Sequence, residues 1–194
     1  MLESVEHKES VLVVSYIEAA SGVEPLSLVQ AKEWLRVEHN ADDALIELLI
    51  NSVREQCSRI LQIDLRTVTR ISEFENIQKI SQLPYGPHGT VNSVTLVDEN
   101  GVETLLTAGT DYSIIGGQYK MVNLYNRMNA VRMLVSCESG YSVLNIPAPL
   151  QIFMLRVLAD NYEQRESIAI GTITATISAE SLAIAQQFNR RAWF

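Results

Sequence analysis

The sequence predicts an α+β protein in which helical segments flank an inserted antiparallel β module. Apolar residues recur at helical spacing over residues 25–64 and 146–189, whereas residues 65–145 contain short β-branched or alternating stretches separated by turn residues. The chain is 47% hydrophobic and 20% charged, as expected for a globular protein. We therefore expect a single domain (1–194) with an N-terminal arm (1–24), a helical hairpin (25–64), a small β module (65–145), a long apolar helix and a short C-terminal helix (146–189), and a tail (190–194).

The first elements are an extended segment and two helices. The β-branched run Val11–Ile17 is typical of a strand or an extended arm. Ser27 and Gln30 have the spacing of a capping box, which predicts a helix from there to about Val37. A second helix is predicted over Asp42–Leu61, because acidic residues begin it, arginines lie near its end and an apolar stripe runs along it. The short connection predicts that the two helices form an antiparallel pair.

The β module is indicated by its turns. Asp98–Gly101 contains an Asn-Gly pair and predicts a hairpin between Val91–Val97 and Val102–Leu106. A further hairpin is predicted around Gly116–Gly117, and Val131–Ser136 is expected to close the set.

A third helix is predicted from Leu150 to Arg165, after a segment that contains Pro147 and Pro149. Its first ten residues include only two polar ones, Gln151 and Arg156. A helix that is apolar nearly all round requires burial on more than one side. Two interpretations remain open: the helix lies at a subunit interface, or it is a central core helix surrounded by the rest of its own chain.

The C-terminus combines residue types that are enriched at interface anchors. Ser178 is expected to cap a last short helix, after which the chain continues with Arg190, Arg191, Trp193 and Phe194. This tail is predicted to bind a partner; the alternative is that it packs on its own subunit.

The residue pattern offers no catalytic, cofactor or metal site. It contains no nucleophile elbow, phosphate-binding glycine loop or dinucleotide fingerprint, and the spacing of its three histidines is not that of a metal site. His39, Asp42 and Asp43 lie close together in sequence and could be considered as metal ligands. Capping of the second helix explains Asp42 and Asp43 better. Cys57 and Cys137 are expected to be free, buried thiols.

The charge limits the interactions that are expected with nucleic acid and membrane. The formal net charge is −8, which argues against binding DNA by attraction, although a conduit with a non-adhesive wall remains compatible with it. Simple solubility also explains the charge. No membrane interaction is expected, because the sequence has no run of eighteen apolar residues.

Two stretches contain motifs in a definite order. Residues 24–37 include Pro-Leu-Ser-Leu, Ala-Lys and Leu-Arg-Val, and residues 40–46 form an acidic turn into a long helix. Residues 146–166 form a proline-led apolar helix that ends in Tyr-Glu-Gln-Arg-Glu. Together, in this order and spacing, these stretches resemble the head–tail connector (adaptor) proteins of long-tailed double-stranded DNA bacteriophages. The β module contributes no matching residues.

The resemblance implies a structural virion protein rather than an enzyme. Such subunits form a ring of about twelve copies beneath the portal protein, through which double-stranded DNA passes without sequence-specific binding. It also implies a tail-side stopper or tail-completion protein on the opposite face, and a location at the head–tail interface of the virion after assembly in the host cytoplasm. On this basis we predict a subunit interface that includes Phe153, Arg156 and Tyr162. The predicted portal-binding residues are those of the tail, namely Arg190, Arg191, Trp193 and Phe194.

Two other classes of function are left open by the sequence. In the first, the chain is a small regulatory module whose helical hairpin, Ser27–Leu61, binds a partner helix in a small heteromer. In the second, it is an enzyme of unrecognised type, which would require a deep pocket with converging titratable groups.

Overall fold

The computed structural model describes residues 11–20, 22–126, 129–164 and 179–188. Their contacts divide the chain into two compact units, each considered by itself below. The sheet unit consists of the described parts of Met1–Ser21 and Thr67–Gly140, and the helical unit consists of those of Gly22–Arg66 and Tyr141–Phe194. The prediction of a single domain remains a prediction.

The helical unit contains four α-helices and one short 3-10 helix among its described residues. They are α1 (Leu28–Leu35), α2 (Asp43–Leu61), the 3-10 helix Val143–Asn145, α3 (Ala148–Glu163) and α4 (Ala179–Gln186).

The sheet unit contains two antiparallel sheets among its described residues. Their strands are β1 (Val11–Ala20), β2 (Val68–Glu75), β3 (Ile80–Gln82), β4 (His88–Asp98), β5 (Glu103–Leu105), β6 (Tyr112–Ile115), β7 (Met121–Leu124) and β8 (Ala130–Ser139). The five-stranded sheet has the order β1-β2-β8-β4-β5, and the three-stranded sheet has the order β3-β7-β6. β1 and β5 are therefore the two edges of the larger sheet.

The predicted fold class, a set of helices with a long apolar helix and only a small β insertion, is wrong. The chain is a mixed α+β protein rich in sheet, because the described strands number eight and form two sheets. The segment Val11–Ile17, predicted as a strand or an extended arm, belongs to a ten-residue strand that pairs with β2. Helix α3 buries one side within the helical unit, whereas Ile152 is 40% exposed and Gln151, Leu155 and Arg156 are only partly buried.

The start of α1 confirms the predicted capping box. The backbone N–H of Gln30 donates to Ser27 Oγ (3.2 Å), and the backbone N–H of Ser27 donates to Gln30 Oε1 (3.0 Å). These bonds satisfy amide groups that have no partner within the helix. The helix ends at Leu35, slightly before the predicted boundary, because Arg36 adopts a left-handed conformation with φ of 58°.

The core of the helical unit lies between α2 and the helices that pack on it. α2 buries one stripe of its surface, as predicted, including Leu49, Val53 and Cys57. The fully buried apolar side chains of α3 belong to the same cluster, which also contains Leu26 and Ala31 from the start of the chain's helical region. Burial of this cluster removes apolar surface from water and is the main stabilising contribution to the unit.

The predicted hairpin at Asp98–Gly101 is confirmed by the pairing of β4 with β5. The Asp98 carboxylate accepts backbone N–H bonds from Val102 and Asn100, both at 2.8 Å, and Gly101 adopts a positive φ of 79°. These bonds, that of Val102 first, lower the pKa of Asp98 below its ordinary value. The turn is therefore held by its ionised side chain as well as by the Asn-Gly backbone.

Candidate subunit interface

The three residues predicted at a subunit interface lie on α3 in different environments. Phe153 is 1% exposed and belongs to the core of the helical unit. Arg156 and Tyr162 are half-buried and therefore retain surface that a partner can reach. The structure thus brings two of the three residues to the surface, while the side chain of Phe153 is used by the fold itself.

The physical reason given for an interface along α3 does not hold. Leu150, Met154, Val157 and Leu158 are all buried within the helical unit, which satisfies the apolar side of the helix without a second copy. The interface residues themselves remain a prediction, and the apolar side chains that α3 leaves partly exposed include Ile152, at 40%, and Leu155. The four predicted portal-binding residues, Arg190, Arg191, Trp193 and Phe194, lie outside the described residues.

Tyr162 connects two of the sequence motifs. Its hydroxyl donates to Asp42 Oδ2 at 2.5 Å, so the end of α3 is bonded to the residue that precedes α2. Asp42 makes no side-chain cap bond to its own helix, and its carboxylate is used in this contact instead. The acidic turn and the Tyr-Glu-Gln-Arg-Glu motif, far apart in sequence, therefore form one contact that fixes the position of α3 on α2.

A network of largely buried ion pairs joins Glu24, which precedes α1, to Arg54 of α2 and to Arg66, which follows α2. Glu24 Oε2 accepts from Arg54 Nε at 2.9 Å, and Glu24 Oε1 accepts from Arg66 Nη1 at 2.5 Å. The Arg54 side chain is 8% exposed and also contacts Glu55 at 3.2 Å. Because one carboxylate neutralises two guanidinium groups, Glu24 is the central residue of this network.

Two shallow grooves lie beside α1 on the helical unit. The larger has a volume of about 690 Å³ and includes the ion pair between Lys32 and Asp43 (2.6 Å) in its wall. The smaller has a volume of about 370 Å³ and combines apolar and polar groups. Its lining includes Val23, Leu28, Ile50 and Val143 together with Glu47 and Asn51.

The largest group of exposed apolar side chains in the sheet unit lies on β1. Leu12, Val13, Val14, Tyr16 and Ile17 are between 40% and 51% exposed. The sequence-based site prediction did not include these residues. The available signal was the absence of any charged residue from Val11 to Ile17 in a chain that is 20% charged.

The described residues contain no cluster of histidine, cysteine and acidic side chains suited to a metal ion. Both cysteines are free and buried, as predicted. Burial raises the pKa of the Cys57 thiol to about 12, so the reactive thiolate is not formed near neutral pH. No helix among the described residues has the length and apolarity needed to cross a membrane.

Residues 25–108 match the family described as phage gp6-like head-tail connector protein. Over these residues the chain is similar to head-tail connector proteins. The matched region runs from the start of the helical unit into the sheet unit, and it includes the capping box, the acidic turn and the Asp98 hairpin. No curated protein matches the sequence at a significant level.

Solved structures with the same fold come from gene transfer agent particles. A chain of the "Virion of native gene transfer agent (GTA) particle" aligns with a TM-score of 0.70 at 17% identity, covering 91% of this chain and 95% of that chain. A chain of the "Neck of empty GTA particle computed with C6 symmetry" gives 0.68 at 16% identity, covering 90% and 95%. A chain of the "Neck of native GTA particle computed with C12 symmetry" gives 0.56 at 17% identity, covering 90% and 94%. At these identities the likeness establishes the fold.

The predicted resemblance to head–tail connectors is therefore confirmed. The match includes the helical hairpin, and it favours a connector over the small regulatory module that the hairpin also suggested. The family and the solved neighbours are described as structural parts of particles, namely connector, neck and virion.

Proposed function

We propose that this connector is a non-enzymatic subunit of a homo-oligomeric ring between the portal protein and the tail. The observation that carries the proposal is the family match over residues 25–108, combined with a fold that nine-tenths of this chain shares with chains from necks of cyclic symmetry. A cyclic ring requires each copy to present two different faces, one to each neighbour. The protein acts at the head–tail interface of the virion.

The ring joins head to tail and leaves a lumen through which double-stranded DNA passes. A net charge of −8 supports this function, because an acidic chain repels the phosphate backbone and does not retain the genome during its passage. The portal protein lies on one side of the ring, and a tail-side stopper or tail-completion protein lies on the other.

The tail residues Arg190, Arg191, Trp193 and Phe194 are proposed to bind the portal. Arginine and aromatic side chains are the types that contribute most to binding when they enter a partner's pockets. Removal of residues 190–194 should leave circular dichroism and the urea midpoint of the chain unchanged and weaken binding to purified portal. Normal portal binding by the truncated chain would show that the anchor lies elsewhere.

A phage in which this gene carries a stop codon tests the function directly. The expected result is that infected cells accumulate heads and tails that do not join, and that expression of the chain in trans restores joined particles. Electron micrographs that show intact virions without the chain would overturn the proposal.

A further inference from the structure

The edge strand β1 exposes a group of neighbouring apolar side chains on both of its faces. In the register of β1 with β2, Leu12 and Ile17 lie opposite Phe74 and Arg70, which are buried on the core-facing side of β2. Val14 and Tyr16 lie opposite Glu73 and Ile71, on the other side. All four β1 side chains are at least 40% exposed, so both faces of this strand are uncovered.

The second edge of the same sheet is uncovered as well. Within the described residues, β5 pairs only with β4, and each of its three residues is exposed. Leu105 is 68% exposed, and Val102, which precedes the strand, is 58% exposed. An uncovered edge presents unpaired backbone N–H and C=O groups, and natural proteins usually protect such edges with charges or cover them.

We propose that β1 of one connector subunit adds to the β5 edge of the next subunit. The two ends of the five-stranded sheet are then the two faces with which each subunit contacts its neighbours in the ring. This inference rests on the proposed ring. Head-to-tail association requires two unlike faces, and a sheet with two different open edges provides them. Backbone hydrogen bonds would supply the pairing, and the apolar side chains beside both edges would be removed from water.

Charge favours a second copy as the occupant of β1. From Val11 to Ile17 the strand has no charged side chain, and Glu18 is its only one. Copies with a net charge of −8 repel each other, and the uncharged stretch Val11–Ile17 can meet β5, whose one charged residue is Glu103, without bringing two carboxylates together. A basic peptide or nucleic acid would instead require a charged surface that β1 does not offer.

The size of β1 also suits a subunit contact. Ten residues at roughly 3.3 Å each give a strand about 33 Å long, and covering a strip about 15 Å wide along it would bury on the order of 500 Å². That is more than half of the roughly 800 Å² per partner found in a standard interface. Because β5 is short, the neighbouring turn and other surface of the second copy would complete the contact.

The test uses three full-length variants with one type of change. Ile17→Lys places a charge on β1, and Leu105→Lys places one on β5. Ile80→Lys is the matched control, since Ile80 is 48% exposed on the edge strand of the three-stranded sheet, against 44% for Ile17 on β1. Circular dichroism and urea midpoints should be the same for all three, because each residue is already in contact with water.

Assembly is measured by native mass spectrometry, with the same phage's portal protein present if the wild-type chain alone is monomeric. Each edge variant should require at least roughly tenfold more protein to assemble, whereas Ile80→Lys should assemble like the wild type. A mixture of the two edge variants should give dimers and no rings, because each retains the one face that the other lacks.

Four outcomes would overturn the inference. The first is normal assembly of Ile17→Lys, and the second is the absence of dimers from the mixture. The third is an equal loss of assembly in the Ile80→Lys control. The fourth is that Ile17→Lys forms rings and fails only to bind the portal, since another protein would then cover β1. Failure of the proposed function is distinguishable, because the wild-type chain would then form no ring and bind no portal.

Discussion

Glu24→Gln should lower the stability of the helical unit substantially, although glutamine has nearly the same size and shape as glutamate. The variant retains the shape of the side chain but removes the negative charge that faces Arg54 and Arg66. Arg54, whose side chain is 8% exposed, would keep only Glu55 as a charged partner, at 3.2 Å. A guanidinium group that is buried without full neutralisation raises the free energy of the folded state.

The size of the effect follows from the burial of the three groups. Loss of one partner from a fully buried pair costs about 3–5 kcal/mol. Glu24 and Arg66 are each 24% exposed, so solvent screens part of the loss, and we expect a decrease of about 2 kcal/mol in the free energy of unfolding. With a denaturant slope of about 2 kcal/mol/M, this corresponds to a urea midpoint lower by about 1 M.

Urea unfolding followed by far-ultraviolet circular dichroism measures this change. Glu55→Gln is the matched control, because it removes the other carboxylate that contacts Arg54, but from a side chain that is 63% exposed. The control should lose less than about 0.5 kcal/mol. Equal midpoints for the two variants would refute the argument that burial makes Glu24 the central residue.

Three further predictions concern the helical core. Phe153→Ala should lower the free energy of unfolding by about 3–5 kcal/mol in chemical denaturation, because Phe153 is 1% exposed; a loss below about 1 kcal/mol would mean that its side chain is not packed. Tyr162→Phe should cost about 1–2 kcal/mol through the bond to Asp42, whereas an unchanged midpoint would show that this bond contributes nothing. Cys57 should resist thiol reagents at pH 8 until the chain unfolds. The pKa of the Cys57 thiol is raised from 9.0 to about 12 in the folded chain, so the contribution of Cys57 to stability is complete below pH 9 and is lost as the pH rises toward 12. Labelling of the folded chain, or a stability that does not change over that pH interval, would contradict the prediction.

The elements that the sequence predicted well are those with local signals. Ser27 and Gln30 interact within one helical turn, and Asp98–Gly101 form their turn through their own backbone and side chains. These interactions depend on few residues outside the element. Such elements can therefore be predicted from the local sequence without knowledge of the tertiary structure.

The elements that were mispredicted depend on pairings between distant parts of the chain. β1 is a strand of the main sheet because Tyr16 lies opposite Ile71, and no local pattern encodes that partner. The sequence left open whether helix α3 lies at a subunit interface or in the core of its own chain, and the structure buries the side that contains Phe153 in the helical core. Periodicity indicates how much apolar surface an element has, but tertiary packing decides what covers it.

The same distinction applies to the candidate site. The family motif led to the prediction of Tyr162 as an interface residue, but only the structure shows that its hydroxyl donates a hydrogen bond to Asp42. The open edges β1 and β5 could not be inferred as a pair, because the strand order that places them at opposite ends of one sheet is a property of the whole unit.

Copies of this chain are proposed to close into a ring at the portal. Native mass spectrometry of the full chain, alone and with the portal protein of the same phage, measures that directly. The expected spectrum has one closed oligomer of the connector, either free or bound to the portal assembly. A spectrum that contains only monomers or a compact dimer, with no portal complex at any ratio, would contradict the claim.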